Sequence, residues 1–171
     1  MVIHWSGLTL ILPLIVIILH FSRIHMMTKH ILILNGPNLN MLGTREPEVY
    51  GEQTLEDIDK ICDRVASQLG LSADFRFSNS EGELVDWIQH ATDKHDAIIL
   101  NAGAYTHTSI AILDALRTIN IPVIEVHLSN IFQREEFRHI SYVSKAADGI
   151  ICGFGSQGYE LAIHASAKLI S

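Results

Sequence analysis

Two polar residues stand out in Val123-Ile124-Glu125-Val126-His127 because everything around them is aliphatic. In an extended strand side chains repeat with period two, so Glu125 and His127 share a face. Burying a carboxylate there is costly without a partner. A glutamate that accepts the imidazole N–H fixes the histidine tautomer and supports its protonated form, which is how a general acid is prepared. The alternative is an incidental buried polar pair.

A second pair lies in the loop Gly43-Thr44-Arg45-Glu46-Pro47-Glu48-Val49-Tyr50-Gly51. For Tyr50 to act as a base near neutral pH, its pKa must fall from about 10 to about 7, a change of roughly 4 kcal/mol. One guanidinium at about 4 Å supplies on the order of 4 kcal/mol at an effective dielectric of about 20, so Arg45 suffices. Gly43 and Gly51 bracket the loop as hinges for a water-excluding lid. Taken alone, the loop reads more readily as exposed, with an ordinary arginine and tyrosine.

Arg134-Glu135-Glu136-Phe137-Arg138 spaces two arginines at i, i+4, on one face if helical. Lying just past His127, they form either an anion site or a solvated face shared with the two glutamates. Asn38 and Asn101 follow apolar runs and fit caps or turns as well as a site. His107 fits a cap region. Gly153 to Gly158 spells G-x-G-x-x-G after an apolar run, but only 13 residues follow it. That leaves no room for the second strand and the ribose-binding acid of a dinucleotide fold, so tight strand-to-helix packing is expected.

The elements that must position these groups follow from patterning. Apolar runs at His30-Asn35, Ala73-Asn79, Asp96-Asn101, Pro122-Leu128 and Gly149-Phe154 read as strands. Ile31-Leu32-Ile33-Leu34, Ala97-Ile98-Ile99-Leu100 and Ile150-Ile151 lack polar alternation, as in a parallel sheet covered on both faces. Helices are predicted from Thr54 to about Gln68, closed by Gly70; from the capping-box pattern Ser80-Glu81-Gly82-Glu83 to about Lys94; from Ser109 to Ile119; and from Ser156 to Ile170. The alternation predicts an α/β flavodoxin-like three-layer sandwich with a five-stranded parallel sheet in the order 2-1-3-4-5. Such folds bind ligands beyond the carboxyl ends of their strands, where the polar residues above fall.

The chain has 171 residues, 48% hydrophobic and 18% charged, which fits one catalytic domain over 27–171 and excludes wholesale disorder. A net charge of -7 argues against nucleic acid or an anionic membrane surface as partner, so an anionic ligand needs a local positive site. Cys62 and Cys152 match no metal-ligand or redox spacing, which favours a reducing, cytoplasmic setting. Residues 1–26 form an apolar N-terminal extension. Its run from Leu8 to Leu19 is shorter than a spanning helix and is interrupted by Pro13, and no small-x-small cleavage site follows. A spurious upstream start at Met1, with translation from Met26 or Met27, is one expectation; a membrane anchor or targeting segment is the other.

Together these stretches resemble the type II 3-dehydroquinate dehydratases over residues 30 to about 168. The similarity rests on five motifs in order: Asn35 to Gly43, Arg45-Glu46-Pro47 with Tyr50-Gly51, Asn101 to Ser109, Glu125 to Asn130, and Arg134 to Arg138. The resemblance implies a lyase of the shikimate and quinate pathway with Tyr50 as proton acceptor, His127 as proton donor and Arg45 as transition-state stabiliser. It assigns Asn38 to a water at the enolate oxygen, with Glu125 behind His127. Asn101, His107, Asp114, Leu128, Ser129 and Arg138 would contact a small anionic substrate. It further implies no cofactor and no metal, and a homododecamer built from trimers in which Asp114 reaches a neighbouring site. The rival readings are a non-catalytic flavodoxin-like nucleotide or flavin binding protein and a membrane-tethered interaction module.

Overall fold

The computed structural model describes residues 28–44 and 53–171; Arg45, Tyr50, Gly51 and the extension 1–26 lie outside them. Five strands, β1 (Lys29–Asn35), β2 (Leu71–Phe77), β3 (Ala97–Asn101), β4 (Val123–His127) and β5 (Gly149–Cys152), form one sheet. Every pairing is parallel and the order is β2-β1-β3-β4-β5, as expected. Among the described residues, three α-helices connect successive strands, α1 (Leu55–Gln68), α2 (Glu81–Gln89) and α3 (Ile110–Arg117), and α4 (Gln157–Leu169) follows β5. Among the described residues, no helix is long and apolar enough to cross a membrane.

Strand alternation splits the core in two. Ile31, Ile33, Ile99, Ile124 and Val126 pack with Ile58, Cys62 and Ile163 of α1 and α4 on one face. Leu32, Leu34, Ile98, Leu100 and Val123 pack with Leu84, Ile88, Ile112 and Leu116 of α2 and α3 on the other. Each fully buried aliphatic side chain contributes roughly 1.5–3 kcal/mol by leaving water. Glu125 and His127 share the parity of Val123 and therefore face the α2/α3 side. Cys62 is an inert part of this core, its thiol pushed up to about 12 by burial.

Local chemistry sets the helix ends. The Thr54 hydroxyl accepts from Asp57 N at 3.2 Å while the Asp57 carboxylate accepts from Thr54 N at 3.0 Å, a complete capping box opening α1. At α2 only half of the expected box forms. Ser80 Oγ accepts from Glu83 N, but the Glu83 carboxylate accepts instead from Ser78 Oγ, which in turn accepts from Ser80 N. The loop before the helix is thus tied in through Ser78.

Three expectations need correction. The helix predicted to reach Lys94 ends at Gln89 and gives way to a 3-10 turn, Ala91–Asp93, where Thr92 and Asp93 are weak helix formers. The 134–138 stretch is not one helix: Arg134 is extended, after the turn Ile131–Gln133, and only Glu136–Arg138 turns. β5 is not covered on both faces, for Ile150 is half exposed where the α2/α3 layer stops short of this edge strand.

Gly36 is where sequence and site meet. Its N–H donates to Asn101 O at 2.8 Å, and a Cβ there would lie 2.4 Å from Ala102 O. No side chain fits against that backbone. Gly36→Ala is expected to lower stability by about 2 kcal/mol or more, read as a fall in the urea midpoint with unchanged slope; an unchanged midpoint would show that the two loops can part freely.

Candidate active site

A cavity of about 110 Å3 opens at the carboxyl edge of the sheet. Its walls come from Pro37 to Leu42 after β1, from Asn101 to His107 at the end of β3, and from His127 to Arg138 at the end of β4. The chain order of these strands reverses at β1/β3, the topological switch at which open α/β sheets bind ligands.

The Glu125–His127 pair forms as its spacing predicts. His127 Nε2 lies 2.8 Å from Glu125 Oε1, with Glu125 fully buried and His127 5% exposed at the cavity wall. With Nε2 turned to the carboxylate, Nδ1 is the nitrogen that can serve a ligand. Burial pushes the Glu125 carboxyl up, but the hydrogen bond and charge of His127, then the hydroxyls of Ser141 and Thr106, outweigh it and leave the group below the ordinary carboxylate range.

His107 ends the 3-10 turn Gly103–His107. Its ring stacks on His127, centroids 6.3 Å apart and planes 14° apart, and its Nδ1 donates to Ile140 O at 2.8 Å. Burial lowers its pKa, the Ile140 bond works against that, and the charges of His127 and Arg138 lower it further.

Asn38 adopts a left-handed conformation, φ 67°, at the start of the turn Leu39–Met41 and makes no side-chain cap bond. Its N–H donates to Asn79 Oδ1 at 2.9 Å, leaving the side chain at the cavity. Asn101 is both site and scaffold. It lines the cavity, yet its Nδ2 donates to Tyr159 Oη at 2.9 Å and its Oδ1 accepts from Gly103 N at 3.2 Å. Tyr159 Oη donates onward to Asn35 Oδ1 at 2.6 Å, and Asn35 Nδ2 donates to Arg76 O at 3.0 Å.

Leu128, Ser129, Arg134 and Arg138 complete the wall. Arg138 Nε also donates to Glu135 Oε2 at 2.7 Å. Asp114 is not brought to this cavity; it sits exposed on α3, 3.8 Å from Arg117. The expected Arg45 and Tyr50 pair lies outside the described residues; Gly43, just before them, has a left-handed φ of 82°. Sequence reasoning missed Tyr159, Asn79, Thr106 and Ser141. The Gly153–Gly158 segment packs a helix on the sheet: a Cβ at Gly158 would touch Val126 and Ile151 at 3.5 and 3.6 Å.

The arrangement is an imidazole backed by a buried carboxylate, at the wall of a cavity that two arginines also line, on a flavodoxin-like α/β sandwich. Such a pairing can do acid–base chemistry. A profile of Dehydroquinase class II matches residues 29–167. The 3-dehydroquinate dehydratase of Rhizobium johnstonii is 57% identical over 139 residues, covering 81% of this chain and 96% of that protein. That of Phenylobacterium zucineum is 55% identical over 143 residues, covering 84% and 99%. The crystal structure of the type II dehydroquinase from Propionibacterium acnes superposes with a TM-score of 0.80 at 46% identity, covering 83% of this chain and 98% of that one. The chain belongs to the class II dehydroquinase family and is a hydro-lyase.

The two shifted groups set a pH dependence of stability. Glu125, lowered in the fold, adds stability that is present above its unfolded value of about 4.5 and lost as pH falls through its lower folded value. His107, also lowered, adds stability present above about 6.5 and lost as pH falls through its folded value. Urea midpoints are expected to decline in two stages on acidification. His107→Asn, which keeps a donor for Ile140 O, should remove the upper stage only; its persistence in that variant would assign it elsewhere.

Proposed function

We propose that the chain dehydrates 3-dehydroquinate to 3-dehydroshikimate by acid–base elimination through an enolate, without a Schiff base. Loss of water from a β-hydroxy ketone needs a base for the proton α to the carbonyl, a stabiliser for the enolate and an acid for the departing hydroxyl. Tyr50, made ionisable by Arg45, takes the proton. A water held by Asn38 stabilises the enolate oxygen. His127 Nδ1–H protonates the leaving hydroxyl, and Glu125 holds the resulting imidazole by Nε2. Arg138, with Leu128, Ser129, Asn101 and His107, grips the carboxylate and hydroxyls of the substrate.

The observation that carries this reading is the 2.8 Å Glu125–His127 pair at the wall of a cavity that Arg134 and Arg138 also line. The roles of Tyr50 and Arg45 rest on their place in the family's motif. With 3-dehydroquinate supplied and the ultraviolet absorbance of the conjugated enone followed, Tyr50→Phe and His127→Ala are each expected to cut kcat at least about 100-fold while the protein still unfolds cooperatively. Full activity in either variant removes that residue from the mechanism.

The assembly proposed is a homododecamer of trimers in a reducing cytoplasm, with Asp114 completing a neighbour's site. Exposed apolar side chains support an assembly: Ile110, Phe132, Phe137, Ile140 and Ile150 are each at least half exposed in the isolated chain. Unpaired Cys62 and Cys152 support the compartment. Asp114→Ala is expected to raise KM about tenfold or more, and co-assembly with His127→Ala chains should recover activity because some sites then draw an intact residue from each. Absence of recovery in mixed assemblies would place Asp114 outside the site.

A further inference from the structure

Glu125 Oε1 accepts three hydrogen bonds: from His127 Nε2 at 2.8 Å, from Thr106 Oγ1 at 2.9 Å and from Ser141 Oγ at 2.8 Å. Its other oxygen, Oε2, is buried with no hydrogen-bond partner among the described residues. A carboxylate so arranged carries its charge toward the oxygen that is solvated by donors, here the one facing the imidazole. The donors are themselves fixed. Ser141 Oγ accepts from Ser144 N at 2.9 Å, so its own proton goes to Glu125. Thr106 is fully buried, and its carbonyl accepts from Tyr142 N at 2.8 Å. The residues adjoining Thr106 and Ser141 join the segments again, since His107 donates to Ile140 O. Two loops distant in sequence thus deliver one hydroxyl each to the same oxygen.

We propose that Thr106 and Ser141 are positioning residues for the acid step, keeping Glu125 ionised with its charge on Oε1 and so holding His127 in the protonated, correctly turned state. The inference rests on the reading of His127 as the proton donor. Without the hydroxyls the buried carboxylate takes up a proton more readily and the imidazolium loses its counter-charge. Among the described residues, the other titratable groups beside the pair are His107, from the turn after β3, and Arg134 and Arg138, which line the same cavity from the segment after β4. All three are left in place by the variants below.

The test compares the full-length enzyme with Thr106→Val, Ser141→Ala and the double variant, with Thr106→Ser restoring the hydroxyl. The 13C titration of the Glu125 carboxyl is expected about one pH unit higher in each single variant and higher again in the double, and kcat several-fold lower, because the proton shared by the pair then rests more on Glu125 and less on His127. Thr106→Ser should keep both the wild-type titration and the wild-type kcat. A merely structural role would reduce the folded fraction without moving the titration. The inference is overturned if the folded variants keep the wild-type Glu125 titration. A titration that moves while kcat per folded molecule stays upholds the hold on the carboxylate and overturns His127 as the acid. If the double variant does not fold, the two single variants carry the same comparison.

Discussion

A negative charge sealed inside an aliphatic layer constrains everything around it. Glu125 has no exposed surface, and removing one partner from a buried ion pair of this kind typically costs about 3–5 kcal/mol. The fold answers with three donors from three places in the chain: the strand itself, the turn after β3 and the segment before β5. Those places cannot move independently while the charge is there. The backbone bond from Tyr142 to Thr106 and the His107 bond to Ile140 repeat the same connection, so the shape of the cavity wall and the placement of the Glu125 carboxylate are held by one set of contacts.

The other side of the cavity has its own anchor. Asn35 and Asn101 occupy equivalent positions in the register of β1 and β3, and both are bonded through the buried hydroxyl of Tyr159 from α4. A buried polar network whose members are satisfied is rigid and specific. It decides which atoms of the Asn101 amide are engaged in the interior and therefore what remains for a ligand. Burial pushes the Tyr159 phenol well above its ordinary pKa, so it stays a neutral bridge. Gly36 presses the loop after β1 against the backbone of Ala102, closing the gap between the two strand ends.

Much of this was legible because it is local. Uninterrupted aliphatic runs marked the central strands, and period-two spacing placed Glu125 and His127 together in a strand where any other polar residue would have been out of place. The capping signals at Thr54, Ser80 and Ser109 located three helix starts to within a residue. What escaped depends on distant pairing. Tyr159 is 124 residues from Asn35 and 58 from Asn101, and nothing near it signals that its hydroxyl is needed. Thr106 and Ser141 look like ordinary loop residues until the fold sets both beside the same carboxylate. The stretch 134–138 misled because i, i+4 spacing carries information only inside a helix, and Arg134 is extended. β5 misled because an apolar run reads the same whether one face or both are covered.

The charge balance bears on how such a site takes an anion. The chain as a whole is negative, at -7, so its long-range field does not draw an anionic ligand in, and beyond roughly 8 Å that field is largely screened at physiological salt. Arg134 and Arg138 line the cavity with side chains only 18% and 22% exposed, and both lie against Glu135 Oε2, at 3.6 and 2.7 Å, so part of their charge is already answered there. Their pull on anything else is short-ranged and strengthens as water leaves. Under the dehydration proposed above, discrimination belongs to contact: a substrate that offers a carboxylate to Arg138 and a hydroxyl to His127 meets groups the fold has already oriented, whereas an anion lacking the hydroxyl leaves the Glu125-held imidazole facing a poorly solvated wall.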